Sequence, residues 1–266
     1  MRSIIPLALV LMFILMPVSA HARVDIIPHM VVIEGRDRSS EVTIINLSDE
    51  VNTYALDILN YRQGNNGAYE TLDGPLSPDF DPEKIVRMSP REFTLIARAK
   101  QKVRLSLRKP ADLPEGEYRF HILAVGREEM PEERVTGEKQ VSVKVNVGVA
   151  IPVIIRHGDL SATGKLTDFK LVGSTKSPSQ KPEFQFTALR EGNASTLGRV
   201  EVFWSPDGGS ANYKSIGFIT NFNLFTEITE RKGAITLSEL PTSGQLKIVY
   251  SDTESKKIYD EIVITP

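Results

Sequence analysis

The chain has no cysteine. That excludes disulfide staples and a lipid-bearing cysteine, so burial of apolar side chains alone must hold the fold. Histidine is scarce too, with four in the chain, and His29, His121 and His157 lie far apart. Metal centres need clustered ligands, and none is expected. Asp79-Phe-Asp81-Pro-Glu83 alternates carboxylates but lacks the glycine and the distant bidentate glutamate of a calcium loop. It reads as a solvated surface loop. GxSxG, a phosphate-cradling glycine loop and a zincin helix are all missing. Gly192 to Gly198 lies between two strand-like segments and reads as a turn. No catalytic residue, cofactor or metal is assigned, and the chain reads as a non-enzyme. Excess charge of one sign is also absent: 32 Lys and Arg stand against 34 Asp and Glu, leaving no basic field for nucleic acid. The cations of ARAKQKVRLSLRK (97–109) alternate with Val103, Leu105 and Leu107, as on a strand with one solvated face.

There is a single long apolar run, Ile4 to Val18, preceded by Arg2 and followed by the small-x-small triplet Ala20-His21-Ala22. This is the build of a signal peptide, residues 1–22, cleaved after Ala22 or after Ala20. The run falls short of the ~20 residues of a membrane-spanning helix. The mature chain is therefore expected to be secreted and not membrane-embedded.

What remains is rich in period-two alternation. EVTIINLS, TYALDIL, FTLIARAKQKVRLSL and EYRFHILAV fill the first part. KLTDFKLV, EFQFTAL, GRVEVFW, KSIGFI, GAITL, GQLKIVY and DEIVIT fill the second. Turn signals such as GNNG, SPDGGS and PTSG separate them. No segment after the apolar run keeps a helical period. Roughly seven strands in each half predict an all-β chain of two antiparallel sandwiches. The boundary falls in HGDLSATGK (157–165), giving domains 23–156 and 157–266. Tyr61 to Pro90 reads as long edge loops with one short strand. Trp204 alternates with Val200 and Val202, which favours core packing over a sugar platform, and no convincing carboxylate pair supports a carbohydrate-active enzyme.

The stretch QVSVKVNVGV places Val141, Val143, Val145, Val147 and Val149 on one side of a strand, with Ser142, Lys144 and Asn146 on the other. It runs on into AIPVIIRHG. Core strands alternate as well, so on pattern alone the row could face its own sandwich. An exposed apolar edge of this length is otherwise an aggregation hazard that proteins cover or blunt.

The order of motifs supplies more. VVIEGRDRSSEVTIINLSDE (31–50), MSPREFTLIARAKQKVRLSL (88–107), LPEGEYRFHILAV (113–125) and the valine row ending in IIRHG together resemble the PapD-like periplasmic pilus chaperones. The second half matches in outline, through ALREGNASTLGRVEVF and LKIVYSD. The resemblance implies two Ig-like sandwiches in a boomerang, acting in the periplasm of a Gram-negative bacterium. Its partners would be pilus or fimbrial subunits, each a sandwich lacking its last strand, and an outer-membrane usher that receives them. Donor positions counted back from Arg156 fall on Val143, Val145 and Val147, and Val141 and Val149 extend the row. The same resemblance implies an interdomain ion network of Glu117, Arg156 and Asp252, suited to the planar fork of arginine.

The family's two basic anchors for a subunit's terminal carboxylate fall here on Met30 and Pro152, neither of which is a cation. Either another cation substitutes, with Lys144 and Arg23 as possibilities, or the client is held chiefly through the strand. A self-capping dimer is one way to cover the row in the free protein. The alternative class is a structural or adhesive surface protein of two Ig-like domains. For that, VDIIPHMVVIEG offers only a donor extension interrupted by Pro28.

Overall fold

The computed structural model describes residues 24–127, 147–173, 181–209, 212–253 and 255–266. The expected signal peptide and Val141, Val143 and Val145 lie outside the described residues. Among the described residues no helix is long and apolar enough to cross a membrane.

Two sandwiches follow one another, each built from alternating segments that turn one face inward. The first has two sheets. One contains β1 (Val24–Ile27), β3 (Ser39–Asn46), β8 (Lys100–Leu107) and β6 (Val86–Ser89), in that order. The other runs β2 (Val31–Ile33), β10 (Val149–His157), β9 (Gly116–Arg127), β4 (Asn52–Gln63) and β5 (Tyr69–Leu72), with β7 (Glu92–Leu95) also on β4. Val42, Ile44, Val103, Leu105, Phe120, Ile122, Val153 and Ile155 fill the space between them. Tyr54 closes one end, its hydroxyl donating to Asn46 Oδ1 at 2.9 Å. At the other end the Tyr118 hydroxyl donates to Pro114 O at 2.8 Å, a tyrosine corner of the kind found in Ig-type sandwiches.

The second sandwich has a sheet of β11 (Ala162–Val172), β12 (Glu183–Gly192) and β15 (Glu230–Thr236). Its partner sheet contains β14 (Lys214–Ile219), β13 (Gly198–Ser205), β16 (Gln245–Asp252) and β17 (Ile258–Ile264). Phe184, Phe186, Val200, Val202, Phe222, Ile248 and Tyr250 form its core. Trp204 packs against that core, and its indole N–H donates to Ser243 O at 2.8 Å. Gly198 has to be glycine, because a Cβ there would come within 2.2 Å of the Tyr250 ring.

Three expectations are corrected in the N-terminal half, which has ten described strands rather than seven. The chain starts with two short strands, as the interruption at Pro28 suggests: β1 pairs antiparallel with β3, while β2 crosses to pair parallel with β10. Pro28 stands between them, with no N–H to continue a ladder. FTLIARAKQKVRLSL is likewise two strands. The chain turns at Arg98, whose φ is +60°, so β7 joins β4 in one sheet and β8 joins β3 in the other. Tyr61 to Pro90 is more ordered than its polar composition suggests. It holds the end of β4, then β5, the single-turn helix α1 (Pro82–Ile85) and β6. Asp81 caps α1 by accepting the Glu83 N–H at 3.1 Å, and Phe80 and Ile85 are buried in the core. One carboxylate of the DFDPE loop is therefore a helix cap.

Candidate functional site

The valine row leads into β10. This strand pairs with β9 along its whole length, but β2 flanks its other edge only from Val153 to Ile155. Over Val149 to Pro152 that outer edge pairs with no strand among the described residues. Pro152 sits just outside the flanked stretch, where a missing N–H breaks no ladder on that side. Ile151, Val153 and Ile155 enter the first core, and Val149 is half-buried against it. One step beyond the strand the chain passes so close to β9 that a Cβ at Gly148 would lie 2.7 Å from Leu123 Cδ1. Past that glycine, Val147 is 40% exposed. The five valines share their parity with Ile151, Val153 and Ile155, which enter the core from β10.

The other end of β10 meets the second sandwich. Arg156 lies opposite Glu117 in the ladder, and its Nε donates to Glu117 Oε2 at 3.1 Å. Glu117 is only 1% exposed in its side chain, and Arg156 also approaches Glu34 at 3.6 Å. From the second sandwich, the Ser195 N–H donates to Glu117 Oε2 at 3.0 Å and the Ser195 hydroxyl donates to Glu117 Oε1. A buried carboxylate is thus held by one guanidinium and two neutral donors, which offsets its desolvation.

Asp252, expected as the second carboxylate of this network, is engaged within its own domain. It accepts from the Tyr259 hydroxyl at 2.7 Å and from Ser255 N at 2.7 Å. From the second sandwich, Glu117 receives its hydrogen bonds from Ser195. Burial, followed by the bond to Asp252, pushes the Tyr259 phenol above its ordinary range.

Between the sandwiches Ile154, Leu197 and Phe225 form a small apolar cluster, with Met30 and Val32 packed against it. Met30, a position where the resemblance places a cation, therefore serves as junction packing. Next to Ile154 in the ladder stands Arg119. Its side chain is 3% exposed and pairs with Glu227 of the second sandwich. It donates to Tyr61 O at 2.8 Å, and its guanidinium lies 4.0 Å from the centre of the Phe225 ring. His121, opposite Pro152, sits edge-on to Tyr61 and Tyr69 at 4.9 and 5.4 Å. Burial, and then the Arg119 charge, pull its pKa down to about 3, so the ring is neutral.

Glu117, Arg119 and His121 alternate along β9, and their period alone suggests a solvated face. The second sandwich covers Glu117 and Arg119, and Tyr61 and Tyr69 cover His121, none of which a local pattern carries. Glu117 and Glu227 both line a hollow of about 280 Å³ at the junction, and each is bound to an arginine. No group of three or more potential metal ligands exists among the described residues.

Fold and site together define a two-sandwich protein in which β10 runs from the domain junction to Val149 with part of one edge unpaired among the described residues. No protein-family model matches the chain, and no curated protein matches it. Among solved structures, the chain is similar to one described as a chaperone-tip adhesin complex in CFA/I fimbriae biogenesis, with TM-score 0.47 and 11% identity, covering 92% of this chain and 98% of that one. It is also similar to the class 5 fimbriae chaperone CfaA, with TM-score 0.46 and 13% identity over 91% of this chain and 98% of that one. The E. coli chaperone DraB is matched with TM-score 0.45 and 12% identity, over 91% and 95% of the two chains.

Proposed function

We propose that the protein is a non-enzymatic periplasmic chaperone for pilus or fimbrial subunits, and that it stabilises them by donor-strand complementation before an outer-membrane usher takes them over. The observation that carries this reading is the phase of the valine row. Val141, Val143, Val145, Val147 and Val149 carry the parity of the inward face of β10 upstream along the sequence, and over Val149 to Pro152 the outer edge pairs with no strand among the described residues. A client sandwich lacking its last strand supplies both things this edge lacks, a hydrogen-bonding neighbour and an apolar groove. Full burial of a valine contributes ~1.5 kcal/mol or more. Three such insertions give roughly 5 kcal/mol before ordering costs, beyond the main-chain ladder.

The Arg156–Glu117–Ser195 network fits a positioning role, fixing the base of the donor strand against the second sandwich. Met30 and Pro152 leave both expected anchor positions uncharged, so the strand itself carries most of the grip. The test is capture of a secreted pilus subunit in periplasmic extract. The parent should keep the subunit soluble and co-purify with it, while Val145→Arg should lose it. Equal capture by both proteins would defeat donor-strand binding.

A further inference from the structure

We infer that the β4–β5 hairpin is a second clasp between the sandwiches, centred on Gln63, and that it makes the two domains one rigid body. The claim rests on the junction's geometry and is independent of any client. Gln63 ends β4 and is 2% exposed. Its backbone N–H donates to Glu227 Oε1 at 2.9 Å. Its side-chain amide donates to Asn223 O at 3.0 Å and accepts the Phe225 N–H at 3.0 Å. Those two backbone groups are two residues apart, so the amide acts as a strand residue would, exchanging both bonds with one partner segment. All three bonds cross between the sandwiches.

The hairpin tip continues the contact. The Lys232 N–H donates to Asn65 O at 3.0 Å. Arg231 donates to Asn223 O at 2.8 Å, and its guanidinium lies where a Cβ at Gly67 would come within 2.6 Å. Gly67 also has φ +80°, a conformation that strains any other residue, and a methyl there would have to displace the Arg231 guanidinium.

This clasp differs in kind from the Arg156 network. That network ties β10 and β9 to the 193–197 turn, whereas Gln63 and Glu227 tie β4 and β9 to residues 223–232. The Ile154–Leu197–Phe225 cluster lies in the junction with them. One attachment would leave a pivot, but two, reaching β10 on one side of β9 and β4 on the other, oppose rotation about either. Relative motion is the ordinary expectation for domains joined by a small interface. Here buried, directional bonds at two places remove it.

The absence of cysteine makes the test direct. Spin labels on Lys102→Cys and Glu261→Cys, one in each sandwich, report the interdomain distance distribution by pulsed EPR. Gln63→Met keeps the side chain's bulk and removes the amide bonds, and Gly67→Ala drives a methyl into Arg231. Each should broaden the distribution roughly twofold, as expected when one of two attachments is lost. Amide protection of both cores should stay unchanged. A distribution as narrow as the parent's in both variants would overturn the inference. So would broadening accompanied by loss of protection in the first core, since that places the effect inside the sandwich.

Discussion

Replacing Arg156 by methionine removes the cation from a buried carboxylate while keeping most of the side chain's apolar stem. Losing one partner of a buried pair costs about 3–5 kcal/mol when the other charge is left alone. Glu117 would not be alone, because the Ser195 N–H and hydroxyl still donate to it. The Arg156 side chain is also 25% exposed, so water partly replaces it. The expected loss is therefore smaller, about 2 kcal/mol. Glu117→Gln keeps the shape and an acceptor oxygen, and should cost about 1 kcal/mol. If the two side chains act on each other directly, the double variant should lose less than the sum by about 1 kcal/mol. Urea unfolding at pH 7 measures all four proteins, with Trp204 fluorescence reporting the second sandwich and far-ultraviolet circular dichroism reporting both. Additive costs would refute a direct pair. A loss below about 0.5 kcal/mol for Arg156→Met would place it among ordinary surface changes.

Acid should weaken the junction through His121, which faces Arg119 on its own strand, Tyr61 of β4, Tyr69 of β5 and Pro152 of β10. The unfolded imidazole takes a proton near pH 6.5 and the folded one only near 3, so between these limits the unfolded state binds more protons. Stability is then complete above about pH 6.5 and falls with pH by at most about 1.4 kcal/mol per unit. His121→Gln should flatten the fitted slope between pH 6 and 4, and an unchanged slope would remove His121 from the account. Gly198→Ala should destabilise the second sandwich by about 1–3 kcal/mol, read as a lower thermal midpoint, because Tyr250 stands 2.2 Å from the added methyl. A midpoint equal to the parent's would mean that the ring yields freely.

Sequence periodicity shows strands well where one face is solvated and the other buried. EVTIINLS became β3 with Val42 and Ile44 inside, and the change from AIPVII to HGDLSATGK marks the passage from β10 to β11. Periodicity is mute about where a strand changes sheet. FTLIARAKQKVRLSL alternates smoothly through Arg98, yet the chain turns there because the two halves serve opposite layers. Composition misleads at Tyr61 to Pro90, where one buried phenylalanine and a capped helical turn order a segment rich in Pro, Gly and Asp. The junction was the hardest part to read. Arg156, Glu117 and Asp252 carry no local signal in the sequence beyond the resemblance. Arg156 and Glu117 meet partners far away along the chain, and Asp252 is engaged within its own domain. Gln63 and Glu227 are ordinary polar residues until a distant segment arrives beside them.

Hydrogen exchange along residues 141–149, with and without a bound pilus subunit, puts the central proposal to its sharpest trial. Complementation predicts that amides of this segment become protected by at least about tenfold only in the complex, since a new strand ladder must satisfy them. A subunit held tightly while those amides exchange as fast as before would mean that the valines reach no partner.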